Sequence, residues 1–293
     1  VQDGCNQFCT YCIIPYARGR VRSRKKEDIL KEIRSLAAKN YKEVVLTGIH
    51  LSSYGVDFPG GEKETLLSLI EEVHKVEGIR RIRLSSLESG IITEEFVKRI
   101  SELPKVCPHF HLSLQSGSDS VLKRMNRRYT SQEYEERCGL LRKYYTNPAL
   151  TTDIITGFPG ETEEEFKETC RFAEKIRFYE THIFRYSKRR GTKAARMEGQ
   201  IPEPVKAARS EILLKLDEQR RGEYETRRMG EPLEVLLEEE IEKEGKAYYL
   251  GHSREYIKVA VEKKKEYQIN DIVVVKGTGY LENHTVLGEC LDN

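Results

Sequence analysis

The chain has 293 residues, a third of them charged, yet its net charge is only +2. That length exceeds a typical single domain and is ample for a buried core, so one large plus one small domain is the default expectation. No apolar run approaches the ~18 residues of a membrane span, so no membrane is expected among its partners, and the overall charge balance singles out no class of partner.

Taken in order, Val1–Asp3 reads as the end of a strand entering a loop with three cysteines, Cys5, Cys9 and Cys12. A helix is expected from about Lys26 to Asn40, with Ile29, Ile33, Leu36 and Ala37 on one face. A unit then repeats: strands at 43–47, 79–84, 110–114, 150–155 and 180–184 alternate with helical patterns at 65–76, 93–101, 118–125, 131–143 and 163–176. Short apolar strands alternating with amphipathic helices predict a parallel α/β sheet, and six such strands predict a barrel or most of one. A long helix follows at 204–228, for which Gly230 is a natural stop. Beyond it five short strands, at 233–237, 247–250, 257–261, 272–276 and 286–290, predict a small β-barrel, so the chain divides at 1–230 and 231–293. The first part carries 42 Lys/Arg against 34 Asp/Glu, the second 8 against 14, so the large part is the basic one.

Unusual polar or glycine-bearing loops follow each expected strand of the large part: the cysteine loop, Thr47-Gly48-Ile49-His50, Ser85–Glu88, Gln115–Ser118, Gly157–Glu161 and Arg185–Ser187. In parallel β/α barrels the carboxyl ends of the strands form the active face, so this one-sided distribution predicts a single cleft. The cysteine loop, C-x3-C-x2-C, holds three of seven cysteines. Clustered thiolates bind zinc, copper(I) or iron–sulfur clusters, and a structural zinc takes four protein ligands where this loop offers three. A cubane on three cysteines leaves one iron open for a small molecule. A zinc site completed by a distant His, or a chance grouping in a reducing cytosol, remain the bland alternatives. Cys107, Cys138, Cys170 and Cys290 are scattered, read as packing residues, and point with the rest to a reducing, cytoplasmic compartment.

Cys5–Arg18 (CNQFCTYCIIPYAR), Leu112–Arg128 (LSLQSGSDSVLKRMNRR) and Asp153–Glu164 (DIITGFPGETEE) resemble the radical S-adenosylmethionine (SAM) methylthiotransferases nearly end to end. The resemblance implies a partial (β/α)6 barrel, a [4Fe–4S] cluster on Cys5, Cys9 and Cys12, SAM on the open iron, and a closing module similar to the TRAM β-barrel of tRNA methylthiotransferases. It also implies an electron donor and tRNA as partner, with a 5′-deoxyadenosyl radical removing hydrogen from an aromatic carbon that a methylthio group then replaces.

Carried over residue by residue, it implies SAM contacts at Tyr11, Thr47, Gly48, Glu88, Gln115, Ser116 and Gly157. Thr47-Gly48 stands where the superfamily carries a Gly-Gly-Glu run, which this chain lacks. Each has a bland reading beside it: packing for Tyr11, a helix cap for Ser116, a rigid turn for Gly157-Phe158-Pro159-Gly160. His50 is a cleft candidate or an ordinary loop histidine. Arg18, Arg128, Arg185, Tyr186 and Arg189, from three basic runs with interleaved tyrosines, are the expected RNA contacts, against the usual solvated charge run. Tyr186–Ala195 fits the family's last-strand pattern, with Arg190 and Lys193 where proline is common. The acidic second part reads equally as an RNA-binding module through Lys263–Lys265 or as a docking domain.

Leu46–Gly55 resembles the branch acting on threonylcarbamoyl-adenosine beside the anticodon. The alternatives are the isopentenyl-adenosine branch, the branch modifying a ribosomal-protein aspartate and, in another class, a non-catalytic iron–sulfur RNA-binding protein. The chain begins at Val1 and holds one cysteine trio, so it is expected to be a fragment that binds one cluster and cleaves SAM but does not insert sulfur, for which full-length relatives use a second cluster.

Overall fold

The computed structural model describes residues 1–59 and 64–291. Its first part holds strands β1 (Gln2–Asp3), β2 (Arg22–Ser23), β3 (Glu43–Leu46), β4 (Arg81–Leu84), β5 (His109–His111), β6 (Ala149–Thr156) and β7 (Glu180–Arg185). Between and after them run α1 (Ile14–Ala17), α2 (Lys26–Ala38), α3 (Leu66–His74), α4 (Glu94–Ser101), α5 (Asp119–Arg124), α6 (Ser131–Tyr144), α7 (Glu163–Ile176) and α8 (Glu203–Met229). β3 pairs in parallel with β4, and β6 lies parallel between β5 and β7. Single parallel bridges, Gln2↔Gly48, Ile82↔Val106 and Leu87↔Leu112, carry the sheet from β1 to β3 and from β4 to β5. Six strands therefore follow one another around an incomplete barrel, and among the described residues β1 and β7 do not pair.

Strand alternation divides the side chains between two environments. Ile82, Leu84, Phe110, Leu150 and Ile154 point outward into a core shared with the helices, where Leu69, Ile70, Val97, Leu141, Phe166 and Ile176 meet them. The other face of the same strands is polar, with Arg81, Arg83, His109, His111, Thr151 and Asp153 directed into the barrel. Thr65, Thr93, Thr130 and Thr162 cap α3, α4, α6 and α7, each accepting from a backbone N–H three residues on. That pattern satisfies donors the first turn cannot and fixes where each helix begins. β5 is shorter than its apolar run suggests, because Gln115 turns left-handed at φ +72° and the segment beyond His111 joins its neighbours only by isolated bridges. α8 ends at Gly230, which stays right-handed at φ −71°, so no left-handed glycine cap closes it.

The last strands are β8 (Pro232–Lys243), β9 (Lys246–Ser253), β10 (Lys258–Glu262), β11 (Ile272–Glu282) and β12 (Thr285–Cys290), closed in the order β10-β12-β11-β8-β9. Leu233, Val235, Val259, Val261, Val275 and Val286 fill the interior. β8 and β11 outrun the expected bounds because their far halves carry exposed polar side chains, which hide the strand from an apolar count.

This small barrel sits against the amino ends of the large barrel's strands. Arg81, fully buried, pairs with Glu234 at 2.9 Å and donates to the carbonyls of Glu234 and His252. Arg83 pairs with Glu43 at 2.7 Å and donates to the carbonyls of Ser253 and Arg254. Tyr256 stacks on His252 at 4.4 Å and on His109 at 5.0 Å. The acidic part thus docks on basic strand residues through these contacts. No helix among the described residues is long and apolar enough to cross a membrane.

Candidate functional site

The cysteine loop is shaped by close backbone approaches. Gly4 sits at φ +71° and a Cβ there would lie 1.9 Å from the Arg20 carbonyl oxygen, so only glycine lets the loop turn against its own return. Cys5 N–H donates to Gly19 O at 3.1 Å and Thr10 N–H to Met125 O at 3.0 Å, while Thr10 O accepts from Ala194 N–H at 2.8 Å. The Asn126 amide donates to the carbonyls of Gln7 and Phe8. The loop is therefore clamped by the end of α5 and by the 186–195 stretch, which brings together three segments far apart in sequence.

Cys5, Cys9 and Cys12 line one cavity of about 140 Å³ with His50, Glu88, Gln115 and Arg127. It adjoins a second of about 380 Å³, walled by Ile13, Asp153, Ile155, Phe184, Arg185 and Tyr186, and the two share Tyr11, Cys12, Ile14 and Gln115. The larger volume lies within the ~300–1,000 Å³ of small-molecule sites. Hollows of about 610 and 680 Å³ between helices are lined by charged surface residues without a cysteine, so size alone does not mark the site.

Three thiols and no fourth cysteine line this cavity among the described residues, whereas a structural zinc takes four protein ligands and soft thiolates also suit an iron–sulfur cluster. His50, the histidine at the same cavity, is engaged with Ser53 and Glu88. Burial raises the thiol pKa values of Cys5 and Cys12, and the neighbouring sulfurs add to it, so a cluster displaces protons as it forms.

Charge beside the sulfurs is arranged by Arg127, which donates to Cys9 Sγ at 3.4 Å, pairs with Glu88 at 2.8 Å and receives support from Tyr129. Burial would raise the Glu88 pKa, but hydrogen bonding from His50 at 2.9 Å and the Arg127 cation bring it below the usual carboxylate value. His50 is held by Ser53 at 2.6 Å on its other nitrogen. A buried cation next to thiolates offsets the negative charge that a thiolate-bound cluster carries.

The sequence-predicted residues separate into two groups. Tyr11, Glu88, Gln115, Arg185, Tyr186 and Arg189 line the two cavities, as does His50. Gln115, left-handed and 8% exposed, makes no side-chain hydrogen bond among the described residues, so its amide is free for a ligand. A strained non-glycine backbone at a cleft is the kind of outlier that function retains.

Ser116 is placed elsewhere: it is fully buried and its hydroxyl bonds Thr169 at 3.1 Å on α7, so it braces the loop from behind. Gly157 gives its N–H to Glu161 at 2.7 Å, and a Cβ would lie 2.1 Å from Lys206, so it serves the packing of α8. Thr47 is exposed, and Gly48 is small because Gln2 crosses it, with Oε1 2.9 Å from where a Cβ would be. Arg18 pairs with Asp3 on the surface, Arg128 is exposed and lines neither cavity, and its neighbour Arg127 lines the smaller one. Arg127 and Asp153 are what sequence reasoning missed. A polar residue at alternate positions of the apolar β6 run was the available signal for Asp153.

Cys107 and Cys138 are buried, as packing residues should be, whereas Cys170 and Cys290 are partly exposed.

Comparisons with known proteins bear on the family and the fold. The family described as the Radical SAM superfamily matches residues 1–173. The chain is 46% identical over 277 residues to the threonylcarbamoyladenosine tRNA methylthiotransferase MtaB of Bacillus subtilis, covering 94% of this chain and 61% of that protein. It is 44% identical over 238 residues to the tRNA-2-methylthio-N(6)-dimethylallyladenosine synthase of Acetivibrio thermocellus, covering 81% of this chain and 49% of that one. Among solved structures, coproporphyrinogen III oxidase of Escherichia coli, described as a radical SAM enzyme, superposes with a TM-score of 0.55 at 13% identity, over 74% of this chain and 51% of its own. That likeness concerns the fold alone.

Proposed function

This chain belongs to the radical SAM superfamily, and from that premise we propose that it is the cluster- and SAM-binding portion of a methylthiotransferase acting on an adenosine in tRNA. The observation that carries the reading is the trio of cysteines at the rim of a cavity that continues into a second, larger one. Cys5, Cys9 and Cys12 would hold a [4Fe–4S] cluster, which with SAM supplies one-electron cleavage to a carbon radical, able to break an aromatic C–H bond that no acid or base removes at neutral pH.

The chain's own residues do the rest. Arg127 balances charge at Cys9 and is kept in place by Glu88 and Tyr129. The free Gln115 amide can bind a ribose hydroxyl or a carboxylate between the two cavities. Ile13, Ile155, Phe184 and Tyr186 present an apolar wall that keeps water from a reactive intermediate. Arg185 and Arg189 stand at the same cavity, where they suit a nucleic-acid phosphate.

Within the methylthiotransferases we favour threonylcarbamoyl-adenosine as the substrate, supported by the Leu46–Gly55 stretch and by an alignment to the Bacillus protein that spans nearly the whole chain. The dimethylallyl-adenosine reading rests on a relative of almost equal identity that aligns over less of it. The cytoplasmic location, the division at residue 230 and a TRAM-like role for β8–β12 belong to the same proposal.

Anaerobic reconstitution with iron and sulfide should give brown protein with iron matching one [4Fe–4S] cluster, and SAM plus reductant should yield 5′-deoxyadenosine. Colourless protein would remove the catalyst; tRNA binding without 5′-deoxyadenosine would favour a non-catalytic role. Mass spectrometry of tRNA nucleosides from cells lacking the full-length protein separates the substrates: loss of the methylthio group from threonylcarbamoyl-adenosine supports the proposal, loss from the dimethylallyl nucleoside replaces it.

A further inference from the structure

The inner face of β5–β7 carries a second constellation that owes nothing to the cysteines. The strand register sets His111 opposite Thr151 and Asp153 opposite His182. One ligand atom from each of His111, Asp153 and His182 lies within 4.8 Å of the others. His111 Nε2 faces Asp153 Oδ2 at 3.2 Å, and the His111 and His182 rings stack with centroids 5.6 Å apart.

The remaining nitrogen of His111 is already committed. Its Nδ1 lies 3.0 Å from Thr151 Oγ1, which in turn lies 3.4 Å from His109 Nε2. With Nδ1–H donating to the threonine hydroxyl, the lone pair of Nε2 points at Asp153. A second hydrogen bond that fixes the tautomer and orientation of a histidine is the usual companion of metal ligation.

We propose that His111, Asp153 and His182 form a mononuclear site for a divalent first-row metal ion, zinc or ferrous iron, separate from the cysteine trio. Two imidazoles and one carboxylate suit those ions and leave coordination positions open, whereas calcium and magnesium prefer all-oxygen sites. Asp153 also lines the 380 Å³ cavity, so the open positions adjoin the cleft and can take water or a ligand oxygen. His182 is exposed, which gives an ion a way in. The alternative is a plain His111–Asp153 hydrogen bond with His182 stacked beside it.

The test uses the cluster-loaded protein dialysed against zinc under anaerobic conditions. One zinc per chain should bind beyond the cluster iron, with X-ray absorption showing a nitrogen/oxygen shell at ~2.0–2.1 Å. Asp153→Asn and His182→Gln should each weaken uptake at least ~10-fold, and Thr151→Val by a smaller factor, with iron content and circular dichroism unchanged. Because His182 is exposed, H182Q keeps the test valid if the buried changes disturb folding. A sulfur shell at ~2.3 Å, no uptake by the parent protein, or undiminished uptake by H182Q would overturn the site.

Discussion

The two ends of the large barrel both bury arginine among carboxylates, and they use it differently. At the amino end Arg81 and Arg83 spend their donors on Glu43, Glu234 and the backbone carbonyls of the small barrel, and Tyr256 closes over Arg83. At the carboxyl end Arg127 is as deeply held by Glu88 and Tyr129, yet it lines the cavity that also holds three thiols and the Gln115 amide, which has no side-chain hydrogen bond among the described residues. Buried charge alone does not mark a functional site. Open volume and uncommitted polar groups beside that charge do.

The sharpest way to break this contrast is to remove a sulfur. Cys9→Ala should abolish both the brown chromophore and 5′-deoxyadenosine formation while leaving thermal unfolding of the metal-free protein near the parent's; retained chromophore would mean the trio is not the ligand set. Arg81→Ala should do the reverse, costing about 3–5 kcal/mol in urea unfolding because Glu234 and several carbonyls lose their buried partner. The cluster spectrum per folded molecule should not change.

Arg127 and Glu88 allow a finer test of sign. Reduction makes a cluster more negative, so Arg127→Gln should lower its midpoint potential and Glu88→Gln should raise it, by about 60 mV for each 1.4 kcal/mol of interaction lost. Equal shifts in the same direction would show a structural disturbance instead.

The smallest effect lies on α8, which runs between the two ends. Burial raises the Asp217 pKa from 3.8 to about 6 despite the hydrogen bond from Thr181 N–H. The folded state then binds this proton more tightly than the unfolded one, so the stabilising contribution is full below about pH 4 and is lost as pH rises to about 6. Asp217→Asn should flatten that part of the stability–pH curve, and an unchanged slope would assign it to other groups.

Much of this protein could be read from residue order. Apolar runs and period-3.6 patterns located the strands and helices of the large part to within a few residues, since each pattern reports which face of an element is buried, while the polar far halves of β8 and β11 escaped them. The cysteine spacing marked the loop around which the cleft forms. Less legible was the placement of adjacent residues where it depends on which way a chain turns. Arg127 enters the cleft and Arg128 does not, because the left-handed Asn126 and the hydrogen bond from Arg127 N–H to Leu122 O reorient the chain just past α5. Ser116 carries the same chemistry as a ligand contact and is turned into the core against Thr169.

What only the tertiary structure decided is which distant residues share a space. The stacking of His109 on Tyr256, the docking of Arg81 on Glu234 and the meeting of His111, Asp153 and His182 each join residues from distant elements of the chain. Local periodicity determines which side of a strand a residue occupies. Register and barrel curvature determine what stands opposite it, and those depend on every element being packed at once.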